Sequence, residues 1–330
     1  MAHSKSPTVL IVAQDGRLTY EAALFLASLR ASAPDFEGDV VVAIPNPGPL
    51  WPKDPRVSDA AALELFEKLG ASVRYFDCRH FGARYPNGNK IEALTTIEGN
   101  EPVLFFDTDT LILGDLAKID FSNSEATASM ARENTWPTPP LYGPGYTDIW
   151  RRIYTEFSVD FDRSLDHSFP SEHWEHYLYF NAGWIFHPKA HAFQDLMTRI
   201  MLWVRDHTPA ELASQKLYPW LDQIALPVAI TAAGGGRPGS EFDGLDGDIS
   251  THWRALPLFY AKASAQQLEE LAEITAPNRV KKVLKSYEPF RRMIYHGRGE
   301  KVRALFDQSN LPKREQAIRS RIKRERLWMR

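Results

Sequence analysis

The sequence is poor in cysteine and has no long hydrophobic run. Its one cysteine, Cys78, excludes an internal disulfide framework and any all-cysteine metal site. That composition suits a reducing compartment. The apolar run at residues 9–13 is too short for the core of a signal peptide. No stretch approaches the roughly 20 residues needed to cross a bilayer. We therefore expect a cytoplasmic protein.

The sequence also lacks a strong charge of either sign. Its 39 Lys and Arg residues nearly balance its 42 Asp and Glu residues, which leaves a formal net charge of −3. This balance gives no overall attraction to nucleic acid, and we expect no nucleic-acid partner. The 330 residues, 44 % of them hydrophobic, are enough to bury a sizeable core.

Several common ligand motifs are missing. Gly234-Gly235-Gly236 has neither the GxGxxG nor the P-loop spacing, so it is weak evidence for phosphate binding. His167, His173 and His176 are irregularly spaced and form no His-x-x-x-His. A second metal site there is not favoured.

Short apolar runs alternate with helical patterns in the first half of the chain. Strands are predicted at residues 9–13, 40–44, 72–76 and 103–106, and helices at 20–30, 60–69 and 90–97. Runs that are buried on both faces and separated by helices predict a parallel α/β sheet. In such sheets, ligands bind beyond the carboxyl ends of the strands. Gln14-Asp15 and Asp107-Thr108-Asp109 lie at two of these ends.

The second half is less regular. Residues 134–175, rich in Pro, Tyr and Trp, predict a loop insertion or lid. A strand is predicted at residues 179–186 and a helix at 190–205. Residues 311–330 carry eight Lys and Arg residues against two Glu and predict a basic helix that ends in Leu327-Trp328-Met329.

Asp107 and Asp109 lie two residues apart where a buried strand ends. Two carboxylates placed in this way can face a divalent cation that keeps positions open for phosphate oxygens. One of them could instead cap a turn while the other is solvated. Haloacid dehalogenase phosphatases also end a strand with Asp-x-Asp. Leu111, and the lack of any Asp-Asp pair, argue against that family.

Five motifs in order resemble the family-8 retaining glycosyltransferases of the GT-A fold, over residues 8 to 305. They are the strand that ends in Ala13-Gln14-Asp15, the stretch from Asn89-Lys90 through Asp107-Thr108-Asp109 to Gly114-Asp115-Leu116, Phe180-Asn181-Ala182-Gly183, Leu221-Asp222-Gln223, and His296-Gly297-Arg298-Gly299. The resemblance implies a GT-A fold with a mostly parallel, Rossmann-like central sheet flanked by helices.

The resemblance also implies a ligand set. Asp107, Asp109 and His296 would bind Mn2+ or Mg2+, and Asp222 and Gln223 would act at the anomeric carbon as the catalytic pair. Asp15 would contact the uracil base, and Lys90 would neutralise the diphosphate. The implied donor-binding residues are Ala13, Gln14, Asp15, Lys90, Asp107, Thr108, Asp109, Asn181, Ala182, Gly299 and Lys301.

Two departures from the family pattern concern the donor. Lys301 follows His296 by five residues where the family lysine follows by six. Its Pro and Trp neighbours are absent, which puts its diphosphate contact in doubt. Ile224 stands where the family commonly has a second Asp after Asp222-Gln223, so one acid near the sugar is missing.

The expected organisation is one domain at residues 1–310, followed by a basic tail at 311–330. Residues 8–115 would be its nucleotide-binding half and 116–310 its acceptor and sugar half. The expected function is metal-dependent transfer of a sugar from a UDP-sugar to a hydroxyl of a glycan, lipid-linked saccharide or small molecule, with retention. A non-catalytic scaffold on the same fold is one alternative. A sugar nucleotidyltransferase is another, although Gln14-Asp15-Gly16-Arg17 is too short for its Gly-rich loop.

Two surface features leave alternatives open. The insertion and the residues just after it contain several aromatic residues that either stack on sugars or pack the loop down, namely Trp136, Tyr142, Tyr146, Trp150, Trp174 and Tyr177. The basic tail either lies on the anionic inner face of a membrane or is a solvated helix.

Overall fold

The computed structural model describes residues 6–122 and 124–330. The strands are β1 (Thr8–Val12), β2 (Val40–Pro45), β3 (Ser72–Phe76), β4 (Val103–Phe106), β5 (Thr110–Ile112), β6 (Thr127–Met130), β7 (Phe180–His187) and β8 (Ser250–His252). The helices are α1 (Arg17–Ser32), α2 (Ala60–Lys68), α3 (Asn89–Glu92), α4 (Tyr146–Glu156), α5 (Ala190–Asp206), α6 (Leu221–Ala232), α7 (Leu256–Lys262), α8 (Ala265–Thr275), α9 (Asn278–Leu284), α10 (Glu288–Phe290), α11 (Arg298–Arg303) and α12 (Glu315–Arg324). Among these helices, none combines the length and the apolar character that a membrane span requires.

Six strands form the central sheet in the order β3-β2-β1-β4-β7-β6. The first four run parallel, β7 runs antiparallel to β4, and β6 runs antiparallel to β7. Every residue of β1, β2 and β4 is buried, as expected for strands that are covered by helices on both faces. The predicted α/β class with a mostly parallel, helix-flanked sheet is confirmed.

Alternate residues of β1 point into two different cores. Val9 and Ile11 pack with α1, α2 and the helices that follow β8. Leu10 and Val12 pack with α4, α5 and α6. The carboxyl ends of β1 and β4 lie side by side, because the two strands are neighbours and parallel. Residues 13–15 and 107–109 therefore meet at one edge of the sheet.

A second, two-stranded sheet lies next to this edge. β5 pairs antiparallel with β8, so that Thr110 is opposite His252. The backbone N–H of Trp253 extends the pairing by donating to the carbonyl of Asp109 at 2.9 Å. Through this small sheet, a segment from the second half of the chain reaches the two aspartates.

The insertion at residues 134–175 is more ordered than the predicted loop, because it contains α4. Ile149, Trp150, Ile153 and Tyr154 form a buried face of that helix. Trp136 packs edge-on against Trp150, with ring centroids 4.9 Å apart. Both tryptophans are buried, as is Tyr177, whereas Tyr142 is 90 % exposed. Of the two alternatives left open by the sequence, the packing one therefore applies to these three buried residues, which pack the insertion onto the domain.

The basic tail folds back onto the domain. Ile318 and Ile322 of α12 are buried in the same core as α1. Leu327 and Trp328 pack against that core. The interpretation of the tail as a solvated helix is therefore wrong for its apolar face. The two side chains that would have entered a membrane are engaged with protein.

Candidate active site

The two aspartates span the turn between the large and the small sheet. The backbone N–H of Asp107 donates to the carbonyl of Gly183 at 2.9 Å, which continues the β4–β7 pairing by one residue. Asp109 directly precedes β5. Because hydrogen-bonded strands hold both backbones, the two carboxylates have fixed positions.

His252 completes a three-residue group with these aspartates. Its Nε2 lies 3.1 Å from Asp109 Oδ1 and 4.0 Å from Asp107 Oδ2. One ligand atom from each residue lies within 4.8 Å of the other two. Carboxylate oxygens with one imidazole nitrogen form a donor set that suits Mn2+ or Mg2+. The residues present therefore fit a divalent cation.

The charged residues of this group affect one another's pKa values. Burial alone would lower the pKa of His252, but Asp109 and Asp107 outweigh it and raise that pKa above its usual value. Burial alone would raise the pKa of Asp109. His252 and the arginines Arg17 and Arg330 outweigh that effect and hold the pKa well below its usual range. The site therefore keeps a carboxylate ionised and stabilises positive charge beside it.

β7 approaches the group so closely that only glycine fits at position 183. A Cβ atom there would lie 2.4 Å from His252 Nδ1 and 3.0 Å from Asn181 Oδ1. The neighbouring Ala182 has a positive φ of 59°, which most non-glycine residues avoid. The Asn181 side chain is held by the backbone N–H of Gly183 and by the carbonyl of Met130.

Lys90 links Asp107 to Asp222 of α6. Its Nζ lies 3.2 Å from Asp107 Oδ1 and 3.1 Å from Asp222 Oδ2, and the side chain is 9 % exposed. Burial alone would lower the pKa of Lys90, but Asp107 and Asp222 raise it above its ordinary value. The Tyr85 hydroxyl donates to Asp222 Oδ1 and accepts from the Asp222 backbone N–H at 2.9 Å. Asp222 is therefore held from two sides.

A buried acid lies behind the aspartates. Glu21 of α1 is 1 % exposed and forms an ion pair with Arg17. The Thr108 hydroxyl donates to Glu21 Oε2 at 3.2 Å. Burial and the charge of Asp109 raise the pKa of Glu21 to about 7, against the opposing effect of Arg17.

A cavity of about 510 Å3 opens over these groups. Eight of the residues predicted from the sequence line it, namely Gln14, Lys90, Asp107, Thr108, Asp109, Asn181, Asp222 and Gln223. Six cationic residues also line it, namely Arg17, Lys90, Arg132, Arg254, Arg319 and Arg330. The cationic side chains of this lining favour an anionic ligand.

The structure separates two other predicted residues from this cavity. Ala13 is fully buried, and its N–H continues the β1–β2 pairing to Ala43. Asp15 lines a different, exposed pocket, where its carboxylate accepts a hydrogen bond from the Ser58 hydroxyl. The tight turn at Gly16, with φ of 87°, directs the chain away from the cavity before α1 begins.

The last of the five predicted motifs, His296-Gly297-Arg298-Gly299, does not reach the cavity. We call it the closing motif. His296 is exposed and does not belong to the group formed by the two aspartates, whose histidine is His252. The apolar residues before His296 form a helical turn rather than a strand that ends at the sheet edge. Gly299 is buried where a Cβ would meet the Tyr260 ring, and Lys301 is exposed. The structure therefore brings His252, and not the predicted His296, to the two aspartates.

Sequence reasoning missed the residues that reach the site from distant segments. His252 ends β8, a three-residue polar strand without an apolar run to mark it. Glu21 lies within a helix that looks like an ordinary core helix, and only its position between apolar neighbours signals burial. Arg330 lies in the segment that was predicted to leave the domain.

Comparisons with known proteins identify the family of the chain. The sequence model of the Rhodobacterales glycosyltransferase domain matches residues 9–234. No curated protein sequence matches the chain.

Similar solved structures include two of LgtC. The galactosyltransferase LgtC in complex with donor and acceptor sugar analogs is 15 % identical, with a TM-score of 0.41 over 71 % of this chain and 73 % of that one. An active-site mutant of LgtC is 14 % identical, with a TM-score of 0.47 over 83 % and 99 %.

The apo form of the bifunctional glycosyltransferase WbbM is 14 % identical, with a TM-score of 0.46 over 86 % of this chain and 52 % of that one. Each of these structural likenesses has a TM-score below 0.5, so the assignment depends on the family match, which covers more than half of the chain. The chain belongs to the Rhodobacterales glycosyltransferase domain family.

Proposed function

We propose that this glycosyltransferase uses a divalent cation and a UDP-sugar, and that it transfers the sugar with retention. The acceptor is a hydroxyl of a glycan, a lipid-linked saccharide or a small molecule. The observation that carries the proposal is the Asp107–Asp109–His252 group at the edge of the sheet, inside a cavity lined by cations. A nucleoside diphosphate is the part of such a donor that needs both features.

Asp107, Asp109 and His252 would hold Mn2+ or Mg2+. When bound, the cation would act as a Lewis acid that stabilises the negative charge of the diphosphate leaving group.

Lys90 supplies a second positive charge on the same side. It is nearly buried between Asp107 and Asp222, and its raised pKa keeps it protonated at neutral pH. A charge that is held in place before the reaction stabilises a developing anion at little reorganisation cost. We assign Lys90 to the leaving diphosphate.

Asp222, Gln223 and Asn181 form the wall of the cavity beside Lys90. We assign them to the donor sugar, with Asp222 and Gln223 nearest the anomeric carbon. Tyr85 keeps Asp222 in place, and the Tyr179 hydroxyl donates to Gln223 Oε1 at 3.0 Å. The uracil base is assigned to the end of β1, beside Gln14 rather than Asp15, because Gln14 lines the cavity and Asp15 does not.

The acceptor is assigned to a second opening of about 300 Å3 beside the first. The two openings share Arg132, Asn181, His252 and Arg254 in their walls. An acceptor hydroxyl in this opening would approach the donor sugar from the side of Asn181.

Thermal stabilisation by nucleotides tests this function. UDP, GDP and CMP are each added to the purified protein with and without Mn2+. A ligand at about 100 times its dissociation constant adds about 2.7 kcal/mol to the free energy of unfolding, which gives a clear rise in melting temperature. We expect that rise for UDP in the presence of Mn2+ only.

Two variants complete the experiment. Asp107→Asn is expected to lose the stabilisation by UDP and Mn2+. Asp35→Asn changes an exposed aspartate outside the cavity and is expected to retain it. Stabilisation by none of the three nucleotides would contradict the proposal and favour a non-catalytic role for the fold.

A further inference from the structure

The segment at residues 315–330, which we call the tail segment, forms part of the wall of the active-site cavity. After α12 the chain turns back, and the N–H of Leu327 donates to the carbonyl of Ile322 at 3.0 Å. Trp328 then packs beneath Arg319 and Lys323, whose charged groups lie 5.0 and 5.4 Å from its ring centroid. This turn brings Arg330 to the cavity.

Ion pairs and a hydrogen bond hold the tail segment in this position. Glu315 lies 2.9 Å from Arg319, 3.2 Å from Lys262 and 3.8 Å from Arg254. Arg298, in the predicted closing motif, donates to the carbonyl of Arg326 at 2.9 Å. The motif therefore contacts the tail segment, which in turn lines the cavity.

Arg330 is less engaged than Arg17 and Lys90, two other cationic residues in the cavity wall. Arg17 is paired with Glu21, and Lys90 with two aspartates. Arg330 Nη2 lies 3.6 Å from Asp109 Oδ2, an ion pair without a hydrogen bond, and its side chain is 43 % exposed. Within residues 6–122 and 124–330, no hydrogen bond engages its guanidinium. Its N–H donors are free for a ligand.

We propose that Arg330 binds the diphosphate of the donor, in the role that the sequence assigned to Lys301. The proposal rests on the function proposed above. A phosphate oxygen that shares a cation with Asp109 is a neighbour of the Asp109 carboxylate. Arg330 already lies within 4 Å of that carboxylate. A guanidinium can donate two parallel hydrogen bonds to a phosphate group, which makes arginine well suited to this role.

Arg330 could act as a substitute for the cation instead of as a ligand of the diphosphate, and the two roles predict opposite changes in affinity when Arg330 is removed. If Arg330 instead occupied the place of the cation at Asp109, its removal would strengthen the binding of Mn2+ and UDP. If Arg330 binds the diphosphate, its removal weakens the binding of UDP. The binding of uridine is unaffected, because uridine carries no phosphate.

Calorimetric titration in Mn2+ distinguishes these roles. The protein is titrated with UDP, and uridine is measured by its displacement of UDP. Arg330→Ala is expected to raise the Kd of UDP about tenfold to a hundredfold, as for the loss of a hydrogen bond to a charged group. The Kd of uridine should be unchanged, and Arg330→Lys should restore part of the affinity for UDP.

Arg324→Ala is the matched control. Arg324 lies on α12 and is 74 % exposed, outside the cavity, and its removal changes the net charge by the same amount. It should bind UDP like the unaltered protein. If the unaltered protein itself fails to bind UDP with Mn2+, the proposed function is wrong. If it binds UDP and Arg330→Ala binds UDP equally well or more tightly, only this inference is wrong.

Discussion

Gly183 of β7 lies against His252 of β8, next to the aspartates. Because a Cβ there would lie 2.4 Å from His252 Nδ1, Gly183→Ala should displace the imidazole. We expect Mn2+ binding to weaken at least tenfold, with a loss of about 1–3 kcal/mol in the free energy of unfolding. Titration with Mn2+ and chemical denaturation measure the two effects.

Gly236→Ala is the control for that substitution, since a Cβ at residue 236 would have no neighbour within 4 Å. It should leave Mn2+ binding unchanged. Equal Mn2+ affinity in Gly183→Ala and the unaltered protein would show that His252 is not a ligand or that it moves freely.

The choice between His252 and His296 can be tested in the same way. His252→Gln should remove most of the Mn2+ affinity, because it removes one of three ligands. His296→Gln should change nothing, since His296 is exposed and lies outside the group. The reverse pattern would restore the assignment made from the sequence. Both variants can be compared by titration with Mn2+, without any assay of transfer.

His187 makes stability depend on pH independently of the active site. Burial lowers the pKa of this histidine from 6.5 to about 4, and its ring stacks on Phe193. The folded state therefore favours the neutral form. The contribution is fully present above the unfolded pKa of 6.5 and is lost as pH falls towards 4.

Chemical denaturation at several pH values measures this effect. Between pH 6.5 and 4, the free energy of unfolding should fall by up to about 3 kcal/mol through His187 alone. His187→Asn should show a flatter pH dependence over this interval. The same slope in both proteins would mean that other groups cause the loss.

At the scale of elements, the strands of the first half could be predicted from the sequence. β1, β2 and β4 are continuous apolar runs, because helices cover both of their faces. β3 was also predicted, from its alternation with helices. The position of the aspartates followed directly from the end of β4.

β8 and α12 could not be predicted in the same way. β8 is three polar residues long, and it is a strand only because β5 pairs with it. The apolar residues of α12 are few, and the surrounding basic residues predicted solvent or membrane. Both elements depend on contacts with distant segments, which a single sequence does not show. As a result, the aspartates were identified from sequence and their histidine was not.

The packing of α12 predicts a combined loss of stability and donor affinity. Ile322 is fully buried, so Ile322→Ala should cost about 2–4 kcal/mol if it leaves a cavity. Because the same segment carries Arg330, the affinity for UDP should also fall. Denaturation and UDP titration measure the two losses. Ser320→Ala, at an exposed position of the same helix, should cause neither. Normal stability in Ile322→Ala would contradict the observed packing.

At the scale of the whole molecule, the net charge of the chain is negative, whereas the cavity wall contains many cationic residues. The chain has a formal charge of −3, yet six cationic residues line the cavity. Attraction of an anion is therefore local, and salt should weaken it. The screening length falls from about 10 Å at 0.1 M salt to about 3 Å at 1 M. Over that range we expect the Kd of UDP to rise severalfold in calorimetric titration, whereas the Kd of uridine should stay constant. A constant Kd of UDP would contradict the electrostatic role of the cavity.

The small sheet has a consequence for how this protein is made. β5 meets its partner β8 only after the chain has continued for well over a hundred residues. A ribosome that has finished the six strands of the large sheet has therefore produced both aspartates but not His252. The match to the family also ends at residue 234, before β8. A nascent chain, or a fragment cut between residues 234 and 250, would contain all six strands of the main sheet and lack His252. The proposed cation site would then be completed only at a late stage of synthesis.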